Sequence, residues 1–68
     1  MNDTRTFTVQ GMTCGHCVSS VTEEVQEVPG VARVDVVLET GAVTVTSNRP
    51  LDENAVQAAV EEAGYRLA

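Results

Sequence analysis

The sequence predicts an α+β domain in the order β-α-β-β-α-β, with four antiparallel strands and two helices packed on one face of the sheet. Three observations carry that prediction. Apolar residues alternate at period two in separate segments, they recur at three- and four-residue spacing in two others, and Gly or Pro marks the junctions. The chain is 68 residues long, which is enough for one small domain. A fold of this size buries only about 60 % of the surface its unfolded chain exposes, so its core has to be efficient. The apolar material is mostly valine, thirteen residues against three leucines and no isoleucine or tryptophan. Valine is stiff at χ1 and suits a pleated surface, which favours a mixed fold over a helical bundle.

The stretch "TRTFTVQ" places Phe7 and Val9 on one face and threonines on the other, as a half-buried strand does. "GMTCGHC" follows as a loop opened by Gly11. Val18, Val21, Val25 and Val28 then form one stripe of an amphipathic helix whose opposite face carries Ser20, Glu23, Glu24 and Glu27. Pro29 and Gly30 stop that helix. "VARVDVVLE" is the second strand, with Val34, Val36 and Leu38 on a common face. "ETGA" is its hairpin turn, and "AVTVTS" returns with Val43 and Val45 inward. "NRPLD" breaks the strand and offers Asp52 as N-cap of a second helix, which buries Ala55, Val56, Ala59, Val60 and Ala63 and ends at Gly64. "YRLA" is long enough for a short last strand. The consistent arrangement is the ferredoxin-like split βαβ. In it the loop after the first strand and the loop before the last lie at the same end of the sheet, so Tyr65 is expected beside the cysteine loop.

Composition narrows the function. Ten acidic residues face four arginines and no lysine, for a net charge of −6. That balance argues against nucleic acid, because phosphate contacts need cationic side chains, and against an anionic membrane surface. A partner with a basic docking face fits it better, although the same charge also serves solubility, and the Glu23, Glu24 and Glu27 stripe reads first as a solvated helix face. No apolar run approaches the roughly 20 residues of a membrane span. The first ten residues hold no apolar signal region, which points to the cytoplasm. The reading of the chain as a freestanding protein rests on its starting at Met1 and stopping where the domain stops.

All the cysteines and the one histidine fall within "GMTCGHC". Two cysteines three apart make a poor staple, and a reducing compartment would keep them as thiols. If the helix begins inside "TCGHC", Cys17 occupies its first turn and Cys14 the loop before it, close enough for one ion to bridge both sulfurs. The free amides and positive dipole end of the helix favour thiolate. Two soft anionic ligands suit Cu(I) first and Zn(II) second, since structural zinc normally takes four ligands and only Cys14, Cys17 and His16 are at hand. An under-coordinated ion of this kind is open to attack by another protein's thiolate, so the site is built for handing a metal over. No organic cofactor is called for. His16 reads either as an exposed side chain beside the thiolates or as a third ligand or proton-linked tuner of the site. Thr13 reads as a helix-capping hydroxyl.

"GMTCGHC" after a first strand, "VPGV" after a first helix and "EEAGY" before a last strand resemble the heavy-metal-associated domain. That family includes copper chaperones of the CopZ type and the metal-binding domains of copper-transporting P-type ATPases. The resemblance spans essentially the whole chain. It implies Cu(I) held by Cys14 and Cys17, and transfer to a similar motif on an ATPase domain through a shared three-coordinate intermediate. It also implies Met12 as a buried apolar anchor of the loop, with Gly11, Thr13 and Tyr65 supporting the site. Zinc-handling relatives often carry aspartate where this chain has Thr13, which tilts the metal towards copper. The chain is expected to be a monomer when apo, and exposed thiolates leave room for a copper-bridged dimer. An excised ATPase domain and a Zn(II) or Cd(II) binder stay open. A CGHC thiol–disulfide oxidoreductase is disfavoured by the short chain, by Thr13 where such enzymes carry tryptophan, and by the absence of a proline placed to face the motif.

Overall fold

The alternating and helical patterns fold into six elements in the computed structural model, which describes residues 3–68. They are β1 (Asp3–Gln10), α1 (Gly15–Gln26), β2 (Val31–Val37), β3 (Ala42–Ser47), α2 (Glu53–Glu62) and β4 (Arg66–Leu67). The strand order is β2-β3-β1-β4 and each neighbouring pair is antiparallel. This is the ferredoxin-like arrangement the sequence predicts. Met1, on which the freestanding reading rests, lies outside the described residues.

The core is built from the residues the periodicities select. Val21 and Val25 of α1, Val56 and Val60 of α2, Val9 of β1 and Val43 and Val45 of β3 meet with Leu51 between the helices and the sheet. Each such side chain, fully buried, contributes about 1.5–3 kcal/mol against the chain entropy lost on folding. Phe7, Met12, Tyr65 and Leu67 pack around its edge and are only partly buried. Asp52 caps α2 as expected, its carboxylate accepting from the Asn54 and Ala55 amides. Ser47 is fully buried, yet its hydroxyl is satisfied by the Gly30 and Arg49 carbonyls and the Arg49 amide.

The second strand departs from its sequence reading at both ends. The Gly41 amide donates to the Val37 carbonyl at 2.9 Å, closing the turn directly after Val37. Leu38 therefore leaves the ladder and is 37 % exposed, not inward beside Val34 and Val36. At the other end Val31 faces Ser47 while Arg33 faces Thr46, so Ala32 is the extra residue of a β-bulge. The bulge shifts the alternation by one, which brings Val31 onto the core face with Val34 and Val36.

Two features place the ends of β1 and α2 together. The Val9 amide donates to the Gly41 carbonyl, tying β1 to the β2–β3 turn. After α2, Gly64 takes φ +94 and the Tyr65 amide donates back to the Val60 carbonyl, a glycine C-cap that reverses the chain. The two-residue β4 then pairs Leu67 with Val9 and Arg66 with Gln10. Tyr65 thus arrives beside the loop that follows Gln10.

Candidate metal centre

The loop between β1 and α1 carries the chemistry. It leaves the strand at Gly11 with φ +96, and an added Cβ there would lie 3.2 Å from the Tyr65 ring. Glycine is needed both for the backbone angle and for the close approach of that ring. Met12 then turns inward and packs, half-buried, against the core.

Cys14 is the N-cap of α1, with an extended backbone and a carbonyl that accepts from the Cys17 and Val18 amides at 3.1 and 3.3 Å. Its thiol makes no capping bond and stays available. The helix starts at Gly15, so Thr13 sits one residue before the cap, too early for its hydroxyl to serve the first-turn amides. The expected capping role of Thr13 is therefore corrected: its Oγ1 lies 4.0 Å from Cys17 Sγ, on the metal side of the loop. Cys14 Sγ and Cys17 Sγ are 3.3 Å apart, both are free thiols, and Cys14 is exposed. No acidic side chain occupies the first turn of α1, so nothing there competes with a thiolate for the positive end of the helix.

Electrostatics favours the charged form of Cys17. The Cys17 thiol is lowered from 9.0 to about 6, chiefly by the Tyr65 hydroxyl, then by the Thr13 backbone amide and the Cys14 side chain, with burial opposing. Donors aimed at a sulfur favour its charged form. The Tyr65 hydroxyl is raised in turn, first by its interaction with Cys17 and then by burial. Because the folded value lies below the ordinary one, the stability gained from this thiolate is fully present above about pH 9 and is lost as pH falls through about 6. Tyr65→Phe should move the Cys17 titration upward. Thiolate absorbance followed against pH on the apo Cys14→Ser background checks this, and an unmoved curve would remove the tyrosine from the site.

His16 is exposed on the first turn of α1. Among the described residues no group of three or more His, Cys, Asp or Glu side chains is arranged to hold a metal ion. His16 and the two cysteines thus form no three-member cluster in the described residues. Sequence reasoning missed the rim of the site. Gln10 and Arg66, paired across β1 and β4, line with Gly11, Gly64 and Tyr65 an open cleft of about 440 Å³ beside the loop. Only the β4 register brings Arg66 there, and a two-residue strand leaves almost no periodic signal to read.

Comparison with known proteins agrees with this geometry. The model of the heavy-metal-associated domain matches residues 6–66. The copper chaperone CopZ of Bacillus subtilis (strain 168) is 38 % identical over 65 residues, covering 94 % of each chain. Copper-transporting ATPase 1 of Rhizobium meliloti (strain 1021) is 46 % identical over 59 residues, which cover 87 % of this chain but only 7 % of the ATPase. A solved CopZ metallochaperone superposes with a TM-score of 0.90 at 33 % identity, covering 97 % of this chain and 100 % of the other. The paired cysteines at the start of α1 and the βαββαβ frame that presents them are those of a heavy-metal-associated domain, the family to which this chain belongs.

Proposed function

We propose that the chain is a cytoplasmic Cu(I) carrier that holds one ion between Cys14 and Cys17 and passes it to the metal-binding domain of a copper-transporting P-type ATPase. The observation that carries the reading is the pair of free thiols 3.3 Å apart at an uncompensated helix N-terminus, with no third donor gathered among the described residues. Two thiolates satisfy a soft monovalent ion and leave Zn(II) or Cd(II) short of ligands. No helix of the described residues is long and apolar enough to cross a membrane. The names of the relatives, a copper chaperone and a copper-transporting ATPase, point to the same cargo.

Transfer is a ligand exchange without redox change. A partner thiol loses its proton and its thiolate binds the ion as third ligand. One Cu–S bond to Cys14 or Cys17 then breaks, and the released sulfur takes up a proton. The second partner thiol repeats the exchange. Before the ion arrives, the Tyr65 hydroxyl favours the thiolate form of Cys17. His16 stays outside the coordination shell, and a copper-bridged dimer of two carriers is the same three-coordinate chemistry arrested between copies. Identity of 46 % to a segment of an ATPase supports a second reading, in which the chain is itself such an ATPase domain and acts as receiver.

The test mixes the Cu(I)-loaded chain anaerobically with an apo ATPase metal-binding domain and separates the two by ion exchange. Copper is expected to partition between them within the mixing time. Copper retained wholly on the chain would overturn the carrier reading.

A further inference from the structure

Strand β2 forms one edge of the sheet, pairing with β3 on one side only. The Val37 carbonyl accepts from Gly41 within the turn, so the backbone groups of Val37, Asp35 and Arg33 face β3. By strand alternation those of Val34 and Val36 face the open edge. The close Thr6–Thr44 hydroxyl pair at 3.1 Å on the next ladder agrees with this phase, since a residue bonded to β2 is unbonded, and so closer in side chain, towards β1. An exposed row of unpaired amides and carbonyls is a template for another strand.

We infer that two copies of this chain pair antiparallel through β2, about a two-fold axis at Val34. The sequence around that axis is self-complementary. Val34 exchanges both backbone hydrogen bonds with its counterpart, Arg33 stands opposite Asp35 of the second copy, and Asp35 stands opposite its Arg33. The side chains that would meet are already together within one strand, with Arg33 Nε 2.9 Å from Asp35 Oδ2 and Nη2 3.3 Å from Oδ1. They are 72 % and 52 % exposed, so both can turn to a second copy and close a ring of four alternating charges. Charge also selects the register. Centring the axis on Asp35 would set the two aspartates against each other, and centring it on Val36 would leave each aspartate opposite Val37.

The pairing is limited in length. The bulge at Ala32 ends the regular ladder on one side and the turn after Val37 ends it on the other. An interface of a few residues on each strand gives a weak, concentration-dependent dimer, and the dilute chain stays monomeric. The metal loop lies at the Val37 end of β2, so the two-fold axis sends the two loops to opposite ends of the joined sheet. The dimer is independent of metal, leaves both clasps open to partners, and differs from any copper-bridged form.

Sedimentation velocity on reduced, metal-free protein up to millimolar concentration tests this, with interference optics because the chain has one tyrosine and no tryptophan. The wild type is expected to shift towards dimer with concentration. Arg33→Asp and Asp35→Arg should each weaken self-association at least about tenfold, because each sets like charges opposite one another. The second variant is the sharper test. It reduces the net charge from −6 to −4, so general repulsion alone would make it associate more. An equimolar mixture of the two variants restores opposite charges at every facing position and should form a heterodimer. A wild type that stays monomeric, or an Asp35→Arg variant that dimerises as well as wild type, would overturn the proposal.

Discussion

Cys14→Ser and Cys17→Ser should each lower Cu(I) affinity by more than about 100-fold, because even partners outside the coordination shell of a metal are worth 10–100-fold. The physical reason is ligand count. A two-sulfur site has no spare donor, and among the described residues no third metal-binding side chain is gathered to replace a lost one. Serine keeps the size of the side chain but offers a hard, protonated oxygen to a soft ion. Cys17→Ser also removes the sulfur whose pKa the Tyr65 hydroxyl lowers to about 6. Anaerobic competition against a Cu(I) chelator measures both. His16→Ala serves as the control and should stay close to wild type at neutral pH.

Gly41→Val should be the most damaging single change to stability. Gly41 has φ +76, and a Cβ there would lie 2.5 Å from the Val9 carbonyl oxygen. A β-branched residue is strained at that backbone angle, and the group it strikes is main chain in a central strand that cannot swing aside. The expected cost is about 2–4 kcal/mol. For a chain of this length that lowers Tm by more than about 10 °C, readable by circular dichroism. The damage also reaches the site. The Val9 amide is held by the Gly41 carbonyl, and two residues later the chain enters the metal loop at Gly11. A variant that still folds should therefore lose part of the Cys17 pKa depression, through displacement of the contact between Gly11 and Tyr65.

What could be read from the letters follows from where periodic burial dominates. The two helix stripes and the inner face of β3 are long enough for Val21, Val25, Val43, Val45, Val56 and Val60 to declare themselves, and all six are fully buried. Asp52 was legible because a cap is a local event. The errors fall where a single backbone feature overrides the period. The Gly41–Val37 bond pushed Leu38 out of the strand, and the bulge at Ala32, on which the sequence reading was silent, turns Val31 to the core. At the site, spacing alone was enough to bring Cys14 and Cys17 together, and topology was enough to bring Tyr65 beside Gly11 at the start of their loop. Thr13 was misread because its role depended on whether the helix starts at residue 14 or 15, a one-residue difference that propensity does not resolve. Arg66 and Gln10 were invisible because their meeting depends on the register of a two-residue strand.

We propose above all that two sulfurs and nothing else from this chain hold the ion. X-ray absorption at the copper edge, on dilute protein loaded with one equivalent of Cu(I), tests it directly. The expected first shell is two sulfur scatterers, unchanged in His16→Ala. A nitrogen scatterer that disappears in His16→Ala, or a shell with fewer than two sulfurs, would contradict it.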